Sequence, residues 1–400
     1  MRPLRIIDAG DTRALERLLA PGRRADGSFD RRVRAIVDRV RREGDRALVR
    51  FARRFDRVEP PLEIDRHEMR AHAARVPADV RRAIGHAASH IARVAVRQMP
   101  PRWDLPIVPG VRVEQRVEPL TRVGCYVPGG RFPLPSSLLM TAVPARVAGV
   151  REIVAVCPRP EPAVMAAALE AGVTRLFRVG GAHAVAALAY GTRTIPRVDK
   201  IVGPGNRWVA AAKAAVAADC AIDFFAGPTE IVIVAGSGRA SWIAADLAAQ
   251  AEHDPEARAM LITWSRALAE RVARRAALAN AVVVVTRTAR EAMALANRIA
   301  PEHLVVDREA RVRRPVTAGA VFVGPFSAQA AGDYATGSNH VLPTAGAARS
   351  RGGLSAADFV RVMSVQRLTR AGLARLAPTI LPLARAEGLT AHARSVDIRL

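Results

Sequence analysis

Arg175-Leu176-Phe177-Arg178-Val179-Gly180-Gly181-Ala182-His183-Ala184-Val185-Ala186-Ala187-Leu188 decides the fold class of this 400-residue chain. An apolar run too short for a helix ends in a glycine pair that opens an alanine-rich helical run, the strand-turn-helix step of a parallel sheet. The same step recurs at Val202-Gly203-Pro204-Gly205-Asn206-Arg207. Working outward, strand candidates stand at Glu152–Cys157, Arg175–Val179, Lys200–Val202, Glu230–Ala235, Ala281–Thr286, Leu304–Val306 and Ala320–Val323, with helical runs between them. Such alternation predicts βαβ units and parallel sheets. No sequence repeat of about 20–50 residues accompanies them.

The flanks read differently. From Ala25 to Met99 the pattern is that of long, Arg-rich amphipathic helices, an outer helical layer. Near Pro101 the texture changes, and Val113, Val117 and Val123 mark extended chain leading to Cys125-Tyr126-Val127-Pro128-Gly129-Gly130. Beyond Gly353 helices are predicted again, at Ala356–Met363 and Arg370–Ala386.

Lys and Arg total 61 against 37 Asp and Glu, a net charge of +24. That excess raises nucleic acid as a partner, but its composition argues otherwise: only Lys200 and Lys213 are lysine, and no tail or stripe concentrates the arginines. Aromatic residues, which single-strand binders interleave with basic grooves, make up 4%. Cys125, Cys157 and Cys220 form no paired framework, which fits a reducing compartment. With no apolar leader and no long uncharged apolar run, the reading is a soluble, cytoplasmic protein without membrane attachment.

Several segments carry chemistry-bearing side chains. His86 and His90 have metal-compatible spacing but lack acidic or thiol neighbours, and read as a solvated pair. Gln250 and His253 lie three apart on a predicted helix that Pro255 ends, so both face one side. Glu302 and His303 precede a strand, where a bend lets a carboxylate and an imidazole address one site. Asp333 follows the Ala320–Val323 strand, placing it in a strand-exit loop, where α/β ligands usually bind. Glu387 and His392 stand near the C-terminus. The glycine turns suit a pyrophosphate at a helix N-terminus, yet no G-x-G-x-x-G is present.

In this order the segments resemble the histidinol dehydrogenase family, from about Pro119 to Arg399 and more loosely through the N-terminal helices. The resemblance is carried by Tyr126-Val127-Pro128-Gly129-Gly130, Val202-Gly203-Pro204-Gly205-Asn206, Ala226-Gly227-Pro228-Thr229-Glu230, Gln250-Ala251-Glu252-His253-Asp254-Pro255, Ala300-Pro301-Glu302-His303-Leu304, Gly332-Asp333-Tyr334, Asn339-His340-Val341-Leu342-Pro343-Thr344 and Leu389-Thr390-Ala391-His392. It implies an α/β fold of two incomplete Rossmann-like parallel-sheet domains with helical N- and C-terminal extensions, in an intertwined homodimer. Residues 1–22 would form the N-terminal extension, 23–122 with 231–353 a first α/β domain, 123–230 a second, NAD-binding domain, and 354–400 a tail reaching the partner's active site.

The activity implied is NAD-dependent oxidation of L-histidinol to L-histidine through bound L-histidinaldehyde, with one zinc per subunit, for which manganese is chemically acceptable. Gln250, His253, Asp333 and His392 match the metal ligands, the last contributed by the partner subunit. Glu302 and His303 match the catalytic pair. Thr229, His303 and Glu387, with the metal ligands, match substrate contacts, and Tyr126, His183 and Asn206 match cofactor contacts. Two positions depart from the family: His183 stands where Gln is usual and Thr229 where Ser is usual. Thr229 keeps the hydroxyl, whereas His183 can still bond a ribose or phosphate but adds a charge-sensitive group near neutral pH. No cysteine nucleophile is needed; Cys125, beside Tyr126, is the only candidate, and the sequence shows no basic partner for it. The rival readings are a related NAD-dependent dehydrogenase of another small alcohol, such as a sulfonated diol, and a basic nucleic-acid-binding protein.

Overall fold

The computed structural model describes residues 3–19, 27–129, 134–225, 227–253, 256–276, 278 and 280–400. Gly130, Ala226, Asp254 and Pro255 of the quoted motifs lie outside these residues, as does the side chain of His253.

A first sheet has the strand order Arg5–Asp8, Ala281–Val285, Arg258–Thr263, Glu230–Val234, His303–Val306, Ala320–Val323, and every pairing in it is parallel. A second has the order Glu63–Ile64, Arg175–Phe177, Glu152–Val156, Arg122–Tyr126, Lys200–Val202, Ala221–Ile222, parallel except at the Glu63–Ile64 edge. In each sheet the founding strand, Glu230–Val234 or Arg122–Tyr126, lies inside. The next two strands fall to one side of it and the following two to the other. One doubly wound order is therefore laid down twice, although the sequence shows no repeat. Each sheet also borrows an edge strand from the N-terminal region, so the N-terminal extension begins with a strand rather than a helix.

Period-two burial explains why these runs are strands. Ile231, Ile233, Leu261 and Val283 enter the core on one face of the first sheet, while Val232, Val234, Ile262 and Val284 enter the core on the other. Strands covered on both faces read as continuous apolar runs, which is how they were recognisable. Arg258–Thr263 was not, because Ala259, Met260 and Leu261 are good helix formers and only tertiary burial makes them a strand.

The helical layer, expected to belong with 231–353, lies instead on the second sheet. Phe29, Val33, Val37 and Val40, one stripe of the Gly27–Glu43 helix, share a core with Val185, Leu188 and Val209. Ile84, Ala88 and Ile91 of the Ala78–Arg97 helix share the other core with Leu139, Val143 and Val164. The alanine-rich 181–190 and 207–216 helices have the small side chains that let such a stripe approach closely.

The helix expected over Ala356–Met363 is corrected. A 3-10 turn at Ala356–Phe359, with a Ser355–Asp358 capping box, gives way to a Val360–Leu368 strand antiparallel to Val111–Pro119, which also pairs with Trp103–Val108. The β-branched Val360, Val362 and Val365 favour the pleated surface once a nine-residue partner strand is present. Trp103, Leu105, Val362 and Leu368 share one face of this small sheet and stand 42–51% exposed. Among the described residues no helix is long and apolar enough to cross a membrane.

Among the described glycines, Gly203 comes closest to the backbone of another segment. Its φ is +114°, and a Cβ there would lie 2.2 Å from the Tyr126 carbonyl oxygen. Gly203→Ala should cost about 2–4 kcal/mol through both strain and overlap. Thermal melting checks this, and an unshifted Tm would contradict it.

Candidate functional site

Two sites emerge. The first is a cavity of about 480 Å³ whose lining includes Asp56, Tyr126, Gly129, His183, Asn206 and Trp208. It lies where the strands of the second sheet exit, beside the point at which strand order reverses, where doubly wound sheets receive ligands. Tyr126 ends its strand and its hydroxyl oxygen accepts from Gly181 N–H at 2.9 Å. Asn206 caps the Arg207–Val216 helix, accepting from Trp208 N–H at 3.0 Å and Val209 N–H at 3.3 Å. The cavity thus gathers Tyr126, His183 and Asn206 from three separate turns.

His183 is held more firmly than an open ligand contact would be. Its Nε2 lies 2.8 Å from Asp56 Oδ2, which also accepts from Gly180 N–H at 3.0 Å. Phe51 and Phe55 lie against the ring, with centroids 5.9 and 6.0 Å away. The acid that matches the unusual histidine comes from the helical layer, some 127 residues earlier, so spacing gave no sign of it.

The second site is a buried polar cluster at the edge where strands of the first sheet begin. The register pairs Ile231 with His303, so Glu302, just before its strand, neighbours Glu230, the first residue of the other. Glu302 Oε2 accepts from Thr229 Oγ1 at 2.5 Å and from Glu230 N–H at 2.9 Å. Gln250 Nε2 donates to Thr229 Oγ1 at 2.5 Å. His303 Nδ1 stands 3.7 Å from Glu302 Oε2, and its Nε2 stands 3.9 Å from Asp333 Oδ1. Ala300, in the left-handed region at φ +53°, ends the Ala289–Ile299 helix two residues before Glu302.

Asp333 reaches this cluster by a route the sequence did not suggest. It is not held in a strand-exit loop: the short Gln329–Tyr334 helix packs against the Ala240–His253 helix and carries Asp333 to His303, at the strand-start edge. Gln329 and His340, absent from the sequence-derived site, belong to the cluster. Gln329 Nε2 donates to Asp333 Oδ2 at 2.6 Å and stands 3.4 Å from His303 Nε2, and His340 Nδ1 lies 3.8 Å from Asp333 Oδ1. The four-residue step from Gln329 to Asp333 on one helix was a legible signal. Glu387 and His392 are not brought here; both are exposed on the C-terminal helices.

Burial pushes the Glu302 carboxyl up to about 8, with Glu230 and Asp333 adding repulsion and the Thr229 and Glu230 hydrogen bonds pulling the other way. Burial likewise raises Glu230, whose Oε1 accepts from Ala345 N–H at 3.0 Å. The cluster therefore offers a proton acceptor that titrates near neutrality beside an imidazole, a setting for general acid–base chemistry.

Cys125 does not share that role. Burial pushes its thiol up to about 12, and among the described residues no cation adjoins it. Cys125→Ala should retain activity within about twofold and the native thiol should resist alkylation. A loss beyond about tenfold would restore it as a nucleophile.

The histidinol dehydrogenase family model matches residues 21–400. The histidinol dehydrogenase of Geobacter sulfurreducens is 44% identical over the whole of both chains. That of Nitrosomonas europaea is 42% identical, covering 100% of this chain and 99% of its own. A crystal structure of histidinol dehydrogenase from Elizabethkingia anophelis superposes with a TM-score of 0.94 at 30% identity, covering 100% of this chain and 98% of that one. With a duplicated, doubly wound parallel-sheet fold, a buried Glu-His cluster and relatives matched end to end, the chain belongs to the histidinol dehydrogenase family and is an oxidoreductase.

Proposed function

We propose that the chain oxidises L-histidinol to L-histidine through bound L-histidinaldehyde: alcohol, water and two NAD⁺ give carboxylate, two NADH and three protons. The observation that carries this reading is the hydrogen-bonded run Gln250–Thr229–Glu302, with His303 Nδ1 3.7 Å from the same carboxylate oxygen, which joins a half-buried hydroxyl to a carboxylate–imidazole pair. His303 removes the hydroxyl proton as hydride departs. Glu302, once ionised, takes a proton from the water that hydrates the aldehyde, and His303 again accepts the hydroxyl proton in the second oxidation.

The residues fit a metal. Gln250 Oε1 is buried with no hydrogen-bond partner among the described residues, an acceptor left open on the helix that also carries His253 and packs against the helix of Asp333. A set of amide, imidazole and carboxylate donors suits Zn²⁺, with Mn²⁺ acceptable. Gln250, His253, Asp333 and His392 of a second copy would hold it, and its chemistry is to bind and orient the substrate nitrogens. No group of three His, Cys, Asp or Glu forms a metal site among the described residues. That is consistent with a set that includes an amide and a residue from a second copy.

A homodimer accounts for two exposures at once: the half-exposed apolar face of the Trp103–Val108, Val111–Pro119 and Val360–Leu368 sheet, and Glu387 and His392 displayed away from their own cluster. The 480 Å³ cavity is the dinucleotide site, with Tyr126, His183 and Asn206 in its wall. NADH formation from limiting L-histidinol tests the whole reading. Two equivalents per substrate are expected, falling sharply after chelation. One equivalent with accumulating aldehyde would overturn the four-electron reaction, and full activity in metal-stripped protein would overturn the ligand set.

A further inference from the structure

Of the 61 basic side chains only Lys200 and Lys213 are lysine, and both have left the surface. The Lys200 side chain is 12% exposed and donates to the Asp358 carbonyl at 2.9 Å, and Lys213 is 3% exposed. Elsewhere in the chain every cation is arginine. A retained lysine therefore marks a place where a compact ammonium fits and a wide planar guanidinium does not.

Lys213 occupies such a place. Its Nζ pairs with the buried Asp223 carboxylate and donates to the Gly203 carbonyl at 3.0 Å. Asp223 Oδ2 in turn accepts from Gly203 N–H at 2.8 Å, and Oδ1 from Phe224 N–H at 2.6 Å. Both backbone groups of one glycine are thus taken by one buried ion pair. Gly203 is also the residue at φ +114° pressed on the Tyr126 carbonyl, and it opens the turn that ends at Asn206. Lys213 stands on the helix that Asn206 caps, so the turn is locked from its own exit helix. Asp223 starts the segment running to Thr229, and its carbonyl accepts from Arg351, whose guanidinium covers the Phe224 ring at 4.8 Å.

We propose that Lys213 and Asp223 are a positioning pair for the dinucleotide: they hold Gly203 in the one conformation in which the 203–206 turn sets Asn206 in the cavity wall. The pair touches neither cofactor nor substrate. Hydrogen bonds alone could not fix this backbone as well, because the buried charges cannot separate without leaving each other unpaired. The inference rests on the 480 Å³ cavity being the dinucleotide site.

The test uses the full-length, zinc-loaded protein. Lys213→Met alone strands a buried carboxylate and is expected to fold poorly. The deciding variant is therefore Lys213→Met/Asp223→Asn, which removes both charges. Its Kd for NADH, measured calorimetrically without substrate, should rise about tenfold, as should KM for NAD⁺, while kcat at saturation changes by less than about threefold. Lys213→Arg keeps the charge but should not restore binding, and it decides the question if the double variant does not fold. Parent-like NADH affinity in either folded variant would overturn the proposal. A parent protein that binds no NADH would instead overturn the dinucleotide reading itself, so the two failures are distinguishable.

Discussion

Glu302→Gln should slow conversion of histidinal to histidine by about three orders of magnitude, within the range that a positioned general base contributes, while histidinal reduction to histidinol falls far less. The amide keeps the shape and can still accept from Thr229 and Glu230, bonds now made at 2.5 and 2.9 Å, but it cannot take a proton from water. Rapid-mixing assays of the two directions check this, and equal losses in both would remove Glu302 from the water step. The raised carboxyl also fixes the pH behaviour. Because the group must be ionised to act, the aldehyde-oxidising rate should climb as the carboxyl titrates and then level, with a bound cation drawing that rise below the metal-free value of about 8.

Stability moves the opposite way. A carboxyl whose folded pKa lies above its unfolded value keeps a proton that the unfolded chain has lost, so folding weakens as pH rises from 4.5 to about 8. At about 1.4 kcal/mol per unit this penalty amounts to a few kcal/mol at most. Glu302→Gln removes it, and its Tm should pull ahead of the parent's between pH 5 and pH 9, most clearly in metal-stripped protein, where no cation favours the carboxylate. A constant gap across that range would contradict the assignment.

The second large effect is a recovery. Glu302→Gln and His392→Asn proteins should each be nearly inactive, the first lacking the water-step base and the second a ligand. If each site draws its core from one copy and His392 from the other, co-expressing the two variants builds mixed dimers with one intact site. Random pairing makes half the dimers mixed, each with one of two sites working, so activity should return to roughly a quarter of the parent's. Total zinc should stay at about half the parent's content, because each mixed dimer keeps one complete ligand set. Mixed dimers confirmed by mass spectrometry but still inactive would show that His392 serves its own chain's site or none.

The parallel strands were legible because burial on both faces writes itself as unbroken apolar runs, as in Glu230–Val234. Arg258–Thr263 and Val360–Leu368 were not, since the first is built of helix formers and the second becomes a strand only against Val111–Pro119. The site divided along a similar line. Glu302 with His303, and Gln250 on its apolar helix, announce themselves in the local sequence. Asp56 against His183 and Asp223 against Lys213 are tertiary pairs, and no periodicity records them. Asp333 was visible as a residue but not in its direction, because a six-residue helix reverses the chain after its strand.

The scarcity and burial of lysine also set how this protein meets amine-reactive reagents. With Lys213 sealed under the Gly203 turn and Lys200 drawn onto Asp358, the folded chain offers its side chains to such reagents almost nowhere. Acylation of Lys213 therefore requires its surroundings to open, and its rate becomes a site-specific clock of that opening. Bound dinucleotide should slow that clock, so a mass-spectrometric labelling experiment would report occupancy of the cavity without any turnover.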